Sequence, residues 1–110
     1  MYREGSKLVR DFIPALDKAK EADANYKYQT VEDPQVLTQL IVEKLGEEIA
    51  EVLRAESKEH RTEEIGDVLT ILRKLAENFG IDWQKVLEAE QLKSETKGSF
   101  KANIVSIPIK

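Results

Sequence analysis

The stretch KLGEEIAEVLRAESKEHRTEEIGD, residues 44–67, decides the fold. It reads as the end of one helix, a short break and the start of a second. Its carboxylates stand where a core-facing helix carries Leu or Ile. On a wheel turning about 100° per residue, the first helix has an apolar arc of Leu37, Ile41, Leu45, Ile49 and Val52. Glu48 projects inside that arc, between Leu37 and Ile41, and Glu51 lies about 60° further round, between Leu40 and Leu37. In the second helix Ile65, Val68, Leu69, Ile71, Leu72, Leu75 and Phe79 form the arc. Glu64 falls inside it, between Ile71 and Leu75, and Asp67 sits at its edge beside Ile71.

An antiparallel hairpin turning near residues 57–59 sets Glu51 level with Glu64 and Asp67, with Glu48 one turn deeper. Four ionised carboxylates converging between two helices repel one another and lose solvation. Lys44 brings one ammonium, too little for four acids. An all-oxygen acidic cage suits a hard divalent cation, Mg²⁺ or Mn²⁺. Acids three or four apart on a single helix usually mark a solvated face paired with Lys or Arg. That reading is favoured for Glu43, Glu47 and Glu63, although Glu47 is within reach of a second ion. Two successive helices that both place acids inside the apolar arc favour the cage.

The flanking sequence predicts an all-α, bundle-like domain built on this hairpin. Residues 8–20 suggest a short amphipathic helix disturbed by Pro14, and residues 26–31 a short strand. Asp33 followed by Pro34 is a strong helix start, and that helix is expected to run to about Glu56. Residues 57–61 form the expected break, with Thr62 as the next N-cap, and Gly80 stops the second helix after Phe79. Asp82 caps a third helix through about Ser94. Residues 100–109 then form a loop or short strand, extended near 103–107, lying back on the body. Trp83 and Phe100 are expected in the core, although they, Tyr26 and Tyr28 all have rings able to stack on a base.

Composition narrows the function. The 110 residues suit one domain, 1–110, and 41% hydrophobic with 35% charged residues is ordinary for a folded chain. With no Cys there is no thiol nucleophile, disulfide or Cys-ligated zinc, and one His, His60, leaves no His-based triad. A net charge of −4 gives no field for nucleic acid or anionic lipid. No apolar run approaches the roughly 20 residues of a membrane span, and the N-terminus lacks a signal-peptide core. A cytoplasmic protein is expected.

EEIAE at 47–51 followed by EIGD at 64–67 matches the EExxE…ExxD signature of the MazG-like all-α nucleoside triphosphate pyrophosphohydrolases. KLVRDFIP at 7–14 resembles the N-terminal box of the house-cleaning members. GIDWQKV at 80–86 and KSETKGSF at 93–100 resemble their third helix and KxxxRGGF ending. Lys97 stands where that ending has Arg, and Ser99 where it has its second Gly. The resemblance implies Mg²⁺ ligands at Glu48, Glu51, Glu64 and Asp67, with Glu47 for a second ion or for orienting water. It also implies phosphate-binding bases at Lys7, Arg10, Lys93 and Lys97, with Lys44 beside them.

The implied reaction is hydrolysis of a nucleoside triphosphate between its α and β phosphates. A divalent ion would neutralise phosphate oxygens and acidify water, a carboxylate would take the proton, and the bases would offset charge on the leaving pyrophosphate. The bases are expected to serve the substrate without touching the bare ion. KLGEEIAE also resembles the KVGEExxE segment of phosphoribosyl-ATP pyrophosphohydrolase, but the two terminal boxes favour the house-cleaning group. A non-catalytic dimerisation or regulatory module is the third reading. Leu40 and Leu53 widen the first apolar arc beyond what one helix covers. A homodimer or homotetramer is therefore expected.

Overall fold

The computed structural model describes residues 5–19 and 27–110. Four helices follow one another: α1 Ile13–Ala19, α2 Pro34–Arg54, α3 Lys58–Asn78 and α4 Trp83–Lys97, with no strand among the described residues. The all-α expectation holds. No helix is long and apolar enough to cross a membrane.

The long hairpin of α2 and α3 starts and stops on local side-chain chemistry. Asp33 caps α2, its carboxylate accepting from the Gln35 N–H at 2.9 Å, with Pro34 opening the helix. Arg54 ends α2, and the next residue, Ala55, is extended and buried. Ser57 then caps α3 by accepting from the His60 N–H at 3.0 Å. The break is therefore residues 55–57, two residues tighter than the sequence suggests. Thr62 lies inside α3 and donates its hydroxyl to the Lys58 carbonyl at 2.7 Å, a bond open to a mid-helix Thr.

Two contacts close the hairpin at its ends. Arg61 donates to the carbonyls of Val52, at 3.0 Å, and Ala55, tying α3 to the last turn of α2. At the far end the Asn78 amide donates to Thr38 Oγ1 at 2.6 Å and to the Pro34 carbonyl at 3.1 Å. These pairings fix the antiparallel register. Gly80, at φ 70°, then reverses the chain, with Ile81 N–H bonded to Ala76 O and Gly80 N–H to Glu77 O, both at 2.9 Å. Asp82 caps α4 through the Gln84 N–H.

Other expectations change. The first helix begins at Ile13 rather than residue 8, because Pro14 has no N–H to give to an earlier turn. Residues 27–31 carry no strand, and residue 26 lies outside the described residues, as does residue 20 at the expected end of the first helix. α4 runs on to Lys97 and stops at Gly98, whose φ of 90° favours glycine. The tail does not lie back on the body. Residues 98–110 are exposed throughout, and Phe100 is 96% exposed instead of in the core. Trp83 is half-buried under the guanidinium of Arg73, 5.7 Å from the ring centroid.

The interior is small. Among the described residues only Ile41, Ala55 and Ala76 are buried hydrophobics, and α4 buries none of its residues. The radius of gyration is 17.9 Å, against about 13 Å for a compact chain of this length.

Candidate metal and phosphate site

The helix seam brings three acids together. Glu48 of α2 and Glu64 and Asp67 of α3 each offer a carboxylate oxygen, all within 4.8 Å of one another. Three and four-residue spacings turn these side chains to the facing sides of the two helices. Glu48 and Glu64 have little solvent, their side chains 12% and 15% exposed, while Asp67 opens to the rim at 37%. Burial raises the Glu48 pKa. Lys44 opposes this, and the charges of Asp67 and Glu64 add to it.

Glu51, the fourth acid named with them, is not in this group. It pairs instead with Arg54, one helical turn on, at 2.6 Å. Half-exposed at the seam's edge, its carboxylate meets a neighbouring guanidinium before it meets the other acids.

Cations ring the cluster. Lys44 is nearly buried, its side chain 15% exposed, and lies 3.3 Å from Glu48 and 3.4 Å from Glu47. Lys7 reaches Glu47 at 3.5 Å, and Arg10 donates to Asp67 at 2.5 Å. The non-helical segment before α1 thus lies against the hairpin's acidic side. Burial pushes the Glu47 pKa up, but Lys44 and Lys7 together outweigh it and leave the pKa below the ordinary value. Glu47 stays ionised. Arg10 thereby touches a carboxylate of the cluster itself.

Lys93 and Lys97 are placed differently. Both are exposed on α4, and among the described residues neither pairs with a site carboxylate. His60 was passed over in the sequence because a lone imidazole makes no triad. Its Nε2 lies 3.0 Å from Glu64 Oε1, one turn away on α3. The His60–Glu64 spacing of four was the available signal.

The donor set fits a hard divalent cation. Three carboxylates, all-oxygen, from two rigid helices, with one member disfavoured in its charged form, form a site that a divalent ion relieves. Glu48, Glu64 and Asp67 are the residues that can hold it.

A helical hairpin with carboxylates from both helices on its seam is the arrangement that the all-α MazG-like superfamily shares. The family model of the phosphoribosyl-ATP pyrophosphohydrolases matches residues 9–94, most of the chain, and the chain belongs to that family. No curated protein and no solved structure matches it significantly. The family's chemistry is hydrolysis of a nucleotide phosphoanhydride bond with release of pyrophosphate, typically metal-dependent. The match begins inside the N-terminal box and ends at Ser94, so most of KSETKGSF lies beyond it.

Proposed function

We propose that the chain hydrolyses a nucleoside triphosphate at the α–β phosphate bond, in a Mg²⁺- or Mn²⁺-dependent reaction that releases pyrophosphate and clears nucleotides from the pool. The observation that carries this reading is one juxtaposition. Glu48, Glu64 and Asp67 converge within 4.8 Å, and Lys7, Arg10 and Lys44 stand around them. Acids to hold a metal beside bases to hold phosphates match a polyanionic substrate that arrives with its cation.

A divalent ion held there supplies charge neutralisation at the phosphates and a more acidic water. The chain's own groups do the rest. Arg10 and Lys7 are exposed enough to leave their carboxylates for phosphate oxygens and offset charge on the leaving pyrophosphate. Glu47, ionised and half-exposed, accepts a hydrogen bond from water and orients it. His60, beside Glu64, steadies that carboxylate. No protein nucleophile is required, in keeping with the absence of Cys.

A second reading, phosphoribosyl-ATP as substrate, is favoured by the family match. Both substrates carry the same triphosphate, so the site treats them alike at the phosphates. Pyrophosphate release from a panel of ribo- and deoxynucleoside triphosphates and phosphoribosyl-ATP, with Mg²⁺ and Mn²⁺ varied, separates them. Turnover of phosphoribosyl-ATP alone replaces the first reading with the second. No release from any substrate leaves a non-catalytic helical module.

A further inference from the structure

Each of the three cluster carboxylates is met by a nitrogen. Lys44 lies 3.3 Å from Glu48, the Arg10 guanidinium donates to Asp67, and His60 Nε2 lies 3.0 Å from Glu64 Oε1. Lys44 and Arg10 bring positive charge, which opposes an incoming divalent ion. An imidazole can donate the same hydrogen bond without that charge. An ionised carboxylate only accepts, so the proton of the His60–Glu64 bond sits on Nε2. The local sequence places the ring. Ser57 caps α3 by accepting from the His60 N–H, which sets His60 in the first helical turn. The spacing of four then lays its side chain along the same side of the helix as Glu64. The His60 side chain is 53% exposed against 15% for Glu64, so the ring faces water while the carboxylate it holds does not.

That bond restricts what Glu64 offers a cation. With Oε1 committed to the ring, the carboxylate meets an ion through one oxygen and does not wrap around it with both. Divalent ions differ in how they take this. Mg²⁺ is small, demands near-octahedral geometry and takes carboxylate oxygens singly, with water or phosphate completing its shell. Mn²⁺ suits the same octahedral oxygen set. Ca²⁺ is larger, collects six to eight oxygens and readily takes both from one carboxylate. Three carboxylates all free to chelate would serve Ca²⁺ well; one pinned at a single oxygen favours the smaller ions.

We infer that His60 is a positioning residue that holds Glu64 to single-oxygen ligation, and that this makes the seam select Mg²⁺ or Mn²⁺ over Ca²⁺. This rests on the metal-binding half of the proposed function and is indifferent to which nucleotide is cleaved. The chain carries its own precedent for a substitute donor. Gln39 Nε2 reaches Glu43 Oε1 at 3.4 Å, and Gln91 Nε2 reaches Glu95 Oε1 at 3.1 Å, both at the His60–Glu64 spacing of four. A Gln at position 60 can therefore donate to Glu64 as the imidazole does. Ser57 holds the backbone N–H of residue 60, so neither Ala nor Gln there removes the helix cap.

The test measures ion binding to the full chain without nucleotide. Mn²⁺ and Ca²⁺ are titrated by calorimetry into the unaltered chain, His60→Ala and His60→Gln, with circular dichroism checking that helix content is equal. In His60→Ala the Mn²⁺ affinity should fall about tenfold, the lower end of what losing an outer hydrogen-bond partner does to a metal site, because the ring is half exposed. Ca²⁺ affinity should hold or rise, so the preference for Mn²⁺ narrows by about tenfold. His60→Gln should keep the preference of the unaltered chain. A structural role alone would weaken both ions alike; an unchanged preference in His60→Ala overturns the inference, and so does His60→Gln behaving as His60→Ala. A second measurement needs no substitution. Electron spin echo on the Mn²⁺-loaded chain should show no directly bonded nitrogen, and a coupling of that size makes His60 a ligand and overturns its positioning role. The inference and the proposed reaction fail separately. Selective Mn²⁺ binding that depends on His60, without pyrophosphate release from any nucleotide, removes the reaction and supports the inference. Pyrophosphate release with an unchanged preference in His60→Ala removes the inference alone, and an unaltered chain that binds neither ion removes both.

Discussion

Arg10 is a cation in the way of another cation. Its contact with Asp67 is a partly exposed ion pair, 58% and 37% exposed on the two sides, and contributes about 0–1 kcal/mol. Removing it by Arg10→Ala should therefore tighten Mn²⁺ binding without nucleotide, by up to roughly fivefold, in calorimetric titration. The same variant should lose about 2–4 kcal/mol of transition-state stabilisation in kcat/KM. Unchanged kcat/KM makes the N-terminal box a structural brace. Glu48 gives a pH prediction. Burial above all raises its pKa from the ordinary 4.5, so the folded chain holds this proton more tightly than the unfolded chain does. Metal-free stability from this group is greatest below about pH 4.5 and declines as pH rises through the folded value. Glu48→Gln should melt higher than the parent at pH 7 in EDTA, with the difference vanishing near pH 4 in calorimetry. No difference at pH 7 means that the Lys44 pairing outweighs burial.

At the scale of elements, the hairpin depends on Arg61. It supplies charge-assisted hydrogen bonds to two carbonyls at the end of α2, and such bonds contribute about 1.5–3 kcal/mol where shielded and less where exposed, as here. Arg61→Ala should lower stability by about 1–2 kcal/mol in urea, at unchanged slope. The caps at Asp33 and Asp82 and the stop at Gly80 were legible in sequence because each works through its immediate neighbours. The α2–α3 break was not. Ser57 and Thr62 have the same capping chemistry, and the choice between them is tied to a contact from Arg61 across the turn. In the site, Glu48, Glu64 and Asp67 were legible because helix rotation alone puts them on the seam. The pairing of Glu51 with Arg54 was not, because a carboxylate at the seam's edge can turn to a neighbour on its own helix. The tail's exposure was equally hidden, since an apolar run in a sequence does not say whether it packs on the body.

At the scale of the whole molecule, a ligand that binds only the folded chain stabilises it by mass action, about 2.7 kcal/mol at a hundred times its Kd. Saturating Mg²⁺ or Mn²⁺ should raise Tm, and EDTA should abolish pyrophosphate release while leaving helix content intact. Full activity in EDTA would refute the metal-dependent reaction.

The tight turn at residues 55–57 also sets an order of events in time. Pairing between α2 and α3 starts only a few residues apart in the chain, and contacts of such short separation form in microseconds to milliseconds. Stopped-flow refolding should therefore show a rapid helix-forming phase whose rate is the same at every dilution. The hairpin is then the first part of the chain to fold, and the seam that holds the carboxylates is in place early.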